Sequence, residues 1–169
     1  ISSAANVLMV EPLVLLSELY QSYSEVQLLA YPEKEIESLG SFLSWGQTLL
    51  ADFGEIDRYL LDPKLVLGDL YNAKKLEEWD LSMESETPLM RRYSDFVALL
   101  PKTYDVFTER LLAKGEAYSG LAARVLATRP ERLESYVKKN GLEHVIIAGL
   151  NALNTAELDI IKALRKLGT

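Results

Sequence analysis

The sequence predicts a mainly α-helical protein, a helical insertion domain attached to a piece of an α/β unit. Two observations carry this expectation. Apolar residues recur at spacings of three and four along most of the 169 residues, the signature of amphipathic helices. One short run, Val145-Ile146-Ile147-Ala148, is instead apolar at every position, as in a central parallel strand covered on both faces.

The elements follow in order. Glu11-Pro12 opens a helix, since proline is tolerated in a first turn. Leu13, Leu16, Leu19, Tyr20 and Tyr23 then share a face. Gln27 to Pro32 reads as a loop, and a long helical segment runs from Glu33 to Leu61. Its apolar stripe is Phe42, Trp45, Leu49, Phe53, Ile56 and Leu60, with steps of 3, 4, 4, 3 and 4. Gly40, Gly46 and Gly54 interrupt this segment at about 1 kcal/mol each relative to alanine, which predicts a kink or a close approach. Asp62-Pro63 breaks the pattern. Leu65 to Trp79 reads as a shorter helical stretch around Asn72, and Asp80 to Pro88 as a polar connector.

From Leu89 to Ala113, Phe96, Leu100, Tyr104, Phe107 and Leu111 again keep helical spacing, with Pro101 expected to kink or split the helix. Gly115 ends it. Tyr118 to Thr128 is the next helix, and Arg129-Pro130-Glu131 starts another that stops at Asn140-Gly141. A strand is expected over His144 to Ala148, its partners lying either outside the chain or in an extended piece such as Val7 to Val10. Thr155 to Leu167 forms the last helix, with Asn154 and Glu157 as a reciprocal capping pair and Gly168 as the stop. The chain thus divides into a helical region, 1–141, and a strand–helix unit, 142–169.

Composition is that of an ordinary globular chain, 49% hydrophobic and 25% charged. It contains no cysteine, which excludes disulfides and thiolate chemistry and fits a cytoplasmic location. No apolar run reaches the roughly 20 residues of a membrane span. Ile1 to Ala5 lacks an initiator methionine and a basic n-region, so it does not read as a signal peptide, and the chain reads as a piece of a longer protein. The net charge of −7 is uneven. Residues 1–90 hold 5 basic and 16 acidic side chains, and residues 91–169 hold 13 and 9. The second half can approach phosphate; the plain alternative is that both halves are solvated helix faces.

Candidate chemistry is sparse. The chain has no phosphate-binding G-x-x-x-x-G-K-[ST] loop. His144 stands alone and reads as strand-edge packing. Asp52, Glu55, Asp57 and Asp62 form the nearest approach to a carboxylate site, with Arg58 at hand to neutralise it; the alternatives are metal or two-carboxylate hydrolysis and a solvated helix face. Phe42, Trp45, Phe53 and Tyr59 could stack bases but at this spacing read as core. The cations placed for phosphate contact are Arg91, Arg92, Arg124, Lys138 and Lys139.

One stretch carries a resemblance. Phe42 to Asp62, FLSWGQTLLADFGEIDRYLLD, is similar to the W-G-x-x-L-L-x-D-F-x-x-I-D-x-Y-L pattern of AddB-like proteins. These join an inactivated superfamily I helicase region to a PD-(D/E)XK nuclease. Leu13 to Tyr23, Leu112 to Arg124 and Val145 to Glu157 resemble the same family in order and spacing. The resemblance implies that 145–148 is a Walker B strand whose end, Gly149-Leu150-Asn151, lacks the acidic pair that holds Mg²⁺ and orients water in an active motor. It implies a non-catalytic scaffold without cofactor or metal, associated with DNA in double-strand break repair and recombination and partnered by a helicase–nuclease subunit. The alternative is a helical module that docks such a partner without touching DNA. A further alternative is a working hydrolase at Asp52 and Glu55.

Overall fold

The computed structural model describes residues 1–68, 88–148 and 152–168, with side chains from 91 in the second span. Its elements are α1 (Ser2–Ala5), β1 (Leu8–Met9), α2 (Pro12–Ala30), α3 (Leu39–Arg58), α4 (Pro88–Ala113), β2 (Glu116–Ala117), α5 (Ser119–Thr128), α6 (Pro130–Lys139) and α7 (Thr155–Lys166). Residues 63–68 are also helical. The mainly helical class is as expected from the periodicity. Within the described residues no helix is long and apolar enough to cross a membrane.

The helix ends follow from local chemistry. Pro12 occupies the first turn of α2, where a missing N–H costs nothing. The loop expected at Gln27 does not begin there. Val26 and Gln27 are buried, and their packing carries the helix on to Ala30. The long segment expected from Glu33 begins later, at Leu39, because the Ser38 side chain accepts from the Ser41 N–H and caps α3. At the other end Leu60 takes a left-handed φ of 53°, which turns the chain sharply after the helix.

Pro101 neither splits nor ends α4, which runs unbroken through it. The helix is held on both sides of the proline by packing: Val97, Leu99, Leu100, Tyr104, Phe107 and Leu111 are buried. Gly115 (φ 71°) stops α4 and Gly141 (φ 60°) follows α6, both in the left-handed region that favours glycine. The Asn154–Glu157 capping box is formed in both directions, at 2.9 and 3.1 Å.

The core lies between α2, α3, α4 and α5, and α7 closes the far side against α5 and α6. Glu25–Arg110 and Glu18–Lys114 ion pairs bridge α2 and α4 at the surface. One end of the core is aromatic. Phe42 packs on Trp45 at 4.5 Å between ring centroids, and Trp45 packs edge-on against Phe96 at 5.0 Å and Tyr23 at 5.2 Å. One glycine marks a tight helix crossing. A Cβ on Gly120 would lie 2.6 Å from the Gly54 carbonyl oxygen, so α3 and α5 touch backbone to backbone there. The close approach expected of the α3 glycines is real at Gly54.

The strand expectation needs correction. The parallel pair in the fold is β1 with β2, in register Leu8↔Glu116 and Met9↔Ala117. Val7 to Val10 does supply an extended piece, but its partner is the turn after α4, with Leu8 N–H donating to Gly115 O at 2.8 Å and Val10 N–H to Ala117 O at 3.2 Å. Residues 144–148 form no strand and pair with nothing among the described residues. The physical reason is that an apolar β-branched run reports a preference, and a strand exists only where a second strand completes its hydrogen bonds. Gly149, Leu150 and Asn151, the position compared with a degenerate Walker B, lie outside the described residues.

Candidate functional site

The most organised polar site is one that the sequence does not announce. Asp57 lies on α3 in step with Phe53, Ile56 and Leu60, on the stripe that faces the core. Its side chain has no solvent exposure. A carboxylate there requires donors, and three arrive from other elements. The Tyr104 hydroxyl from α4 and the Tyr118 hydroxyl at the start of α5 each donate to it. Arg124 of α5 donates from Nε at 2.5 Å. The Arg124 guanidinium also donates to the Ile56 and Leu61 carbonyls, at 2.8 and 2.5 Å, satisfying chain oxygens around the end of α3.

Burial pushes the Asp57 carboxyl above its ordinary value, while the two hydroxyls and Arg124 pull it down. Arg124 is a donor only, so its bond takes a lone pair of Asp57, and its charge favours the ionised form of the acid. Burial and the neighbouring Asp57 charge together raise both Tyr104 and Tyr118, keeping them as neutral donors. The knot ties α3, α4 and α5 at one point. Chemically it is a buried ion pair in which both carboxylate oxygens accept from protein donors.

The other carboxylates do not join it. Asp52 and Glu55 are exposed, and Glu55 pairs with Arg58 at 2.6 Å. Asp62 turns back to accept from the Lys64 N–H at 2.8 Å. No group of three potential metal-ligating side chains converges among the described residues. Asp52 and Glu55 therefore stand as separate exposed carboxylates on α3. Phe42 and Phe53 are fully buried core residues, which removes them as stacking surfaces, and Tyr59 is half exposed at the end of α3.

The five cations separate in the same way. Arg124 is committed to Asp57 with only 20% of its side chain exposed, so it is a clamp and not a surface contact. Lys138 pairs with Glu134 at 2.6 Å along α6. Lys139 is exposed at the end of α6, beside a shallow depression that includes Arg132, and Arg132 itself donates to the Ala5 carbonyl. Arg91 and Arg92 are exposed near the start of α4. Four of the five cations are exposed, and Arg124 is the exception. The signal that could have found the knot is Asp57 itself, an acid on a buried stripe that demands a cation elsewhere in the chain.

The connector 142–148 stands apart. Ile146 is 92% exposed and Ile147 41%. His144 is exposed as well, so it packs against no strand edge. No protein-family model, characterised protein or solved structure matches the chain.

Proposed function

We propose that the chain is a structural, non-catalytic region of an inactivated superfamily I helicase-like protein of the AddB type, a scaffold for DNA in double-strand break repair and recombination. The observation that carries this reading is the exposed apolar segment Val145–Ala148, immediately ahead of the capped helix α7. A run that is apolar on both faces is at home inside a parallel sheet. In the resemblance this position is a strand of the motor domain, so its sheet partners would come from beyond the described residues. Gly149-Leu150-Asn151 offers no carboxylate for Mg²⁺ in sequence, which supports a motor without hydrolysis.

The test is amide hydrogen exchange at 144–148 in this chain alone and in the longer protein. Fast exchange alone and strong protection in the longer protein are expected. Equal, fast exchange in both would sink the reading.

A second reading has its own support. Arg124 is sequestered and Lys138 is ion-paired, which reduces the cations available to phosphate. This favours a module that docks a partner helicase–nuclease subunit in the cytoplasm without DNA contact. Oligonucleotide binding at low salt separates the two. Binding that falls steeply with salt and weakens on reversing Lys138 and Lys139 supports the DNA scaffold; capture of the partner subunit with no DNA affinity supports docking.

A further inference from the structure

A cleft of about 370 Å³ opens between α2, α4 and the turn after α2, away from the Asp57 knot. Its walls include the rings of Tyr23, Tyr31 and Phe96, the amide of Gln27 and the cations Lys34 and Arg92. The volume falls at the lower end of ordinary small-ligand sites, which run from about 300 to 1,000 Å³.

Each wall has a defined state. Gln27 is only 8% exposed, and its Nε2 donates to the Glu35 carbonyl at 3.0 Å. That bond fixes the amide, and its oxygen receives no donor among the described residues. That oxygen is therefore free to accept from a group that enters the cleft. Lys34 lies over the Tyr31 ring at 3.9 Å and pairs with Asp95, so that carboxylate is already neutralised. Arg92 has no partner among the described residues and stands as the uncompensated charge at the rim. Glu33 and Glu35 nearby are exposed and solvated.

A ligand that satisfies these walls is flat and apolar on its faces, carries an N–H at its edge and bears an anion. We propose that the cleft binds a nucleotide unit, its base among the Tyr31, Phe96 and Tyr23 side chains, an exocyclic amino N–H of the base on the Gln27 oxygen and its phosphate on Arg92. The shared chemistry is a base with a phosphate, from a free mononucleotide or from one position in a single strand. Where the source is a strand, the inference rests on the DNA-associated reading above; where it is a free nucleotide, it goes beyond that reading.

Trp45 touches Phe96 and Tyr23 and reports on the cleft by fluorescence. With Trp79→Phe to leave Trp45 as the single emitter, the chain is titrated with dAMP, with a single-stranded dA oligonucleotide and with inorganic phosphate. A saturable change with dAMP, weakened at least tenfold by the surface variant Arg92→Glu, is expected. The same change with the oligonucleotide at lower concentration assigns the site to a strand; dAMP alone assigns it to a free nucleotide. No change with either, an equal change with inorganic phosphate, or an Arg92→Glu chain that responds like its parent would overturn the proposal. Tyr31→Ala gives a second reading of the same contact. The Lys138 and Lys139 reversals leave this signal in place, so failure of the cleft and failure of the DNA scaffold are read separately.

Discussion

The Asp57 knot and the 142–148 connector are opposites in composition and in outcome. One places a charge where the pattern asks for a hydrophobe, and it is fully buried. The other places an unbroken run of hydrophobes, and Ile146 is almost fully exposed. The difference lies in partners. Asp57 finds two phenols and a guanidinium within the same chain, while Val145 to Ala148 finds no strand among the described residues. Burial here tracks whether polar groups, backbone included, can be satisfied, and not side-chain hydropathy alone.

The sharpest way to break the comparison is to remove the charge. Asp57→Ala leaves a buried guanidinium and two phenols without their acceptor, and a loss of about 3–5 kcal/mol is expected in urea unfolding. A loss under about 1 kcal/mol would mean that solvent reaches the site and that the knot holds little together.

Next in size is the response to alkali. Burial, with the nearby Glu37 charge, pushes Tyr23 up to about 12, and Tyr104 and Tyr118 are also raised. Their folded values exceed the unfolded value near 10. The stability they contribute is therefore complete below pH of about 10 and drains away as pH rises through the folded values. Absorbance at 295 nm should show some of the nine tyrosines ionising late, together with loss of helical circular dichroism. Simultaneous ionisation of all nine near 10 with the fold intact would contradict this.

The smallest effect belongs to the connector. Ile146→Ser should change the stability of this chain by less than about 0.5 kcal/mol, since an exposed side chain surrenders no burial. A larger loss would show that 142–148 packs on the fold after all.

These contrasts also mark what the sequence made legible. Helices α2 to α7 could be read because their stripes, glycine stops and caps are local, and the Asn154–Glu157 box is written within four residues. The start of α3 was misplaced because Glu33 to Glu37 is compatible with a helix, and only the Ser38 cap decides otherwise. The strand was misread because pairing is not local. Its β-branched residues state a preference whose fulfilment depends on residues far away. The same holds for Arg124: on paper it is one more surface cation, and only the approach of α5 to α3 turns it inward. The cleft at Gln27 was likewise invisible, because Gln27 reads as loop, Lys34 as part of the next helix and Arg92 as a phosphate contact.

The β1–β2 ladder has a consequence for the order of assembly. Its two rungs join the start of the chain to the turn after α4, so every residue of α2, α3 and α4 lies within the loop they close. The entropy of closing so long a loop far exceeds what two rungs return, so the ladder cannot nucleate folding. It forms once the helices have brought its ends together, with α1 settling on α5 and α6 and Arg132 fastening the Ala5 carbonyl. Residues 1–10 are thus a late clasp. On a chain made in order from the ribosome, they must wait until β2, α5 and α6 have followed before they have anywhere to bind.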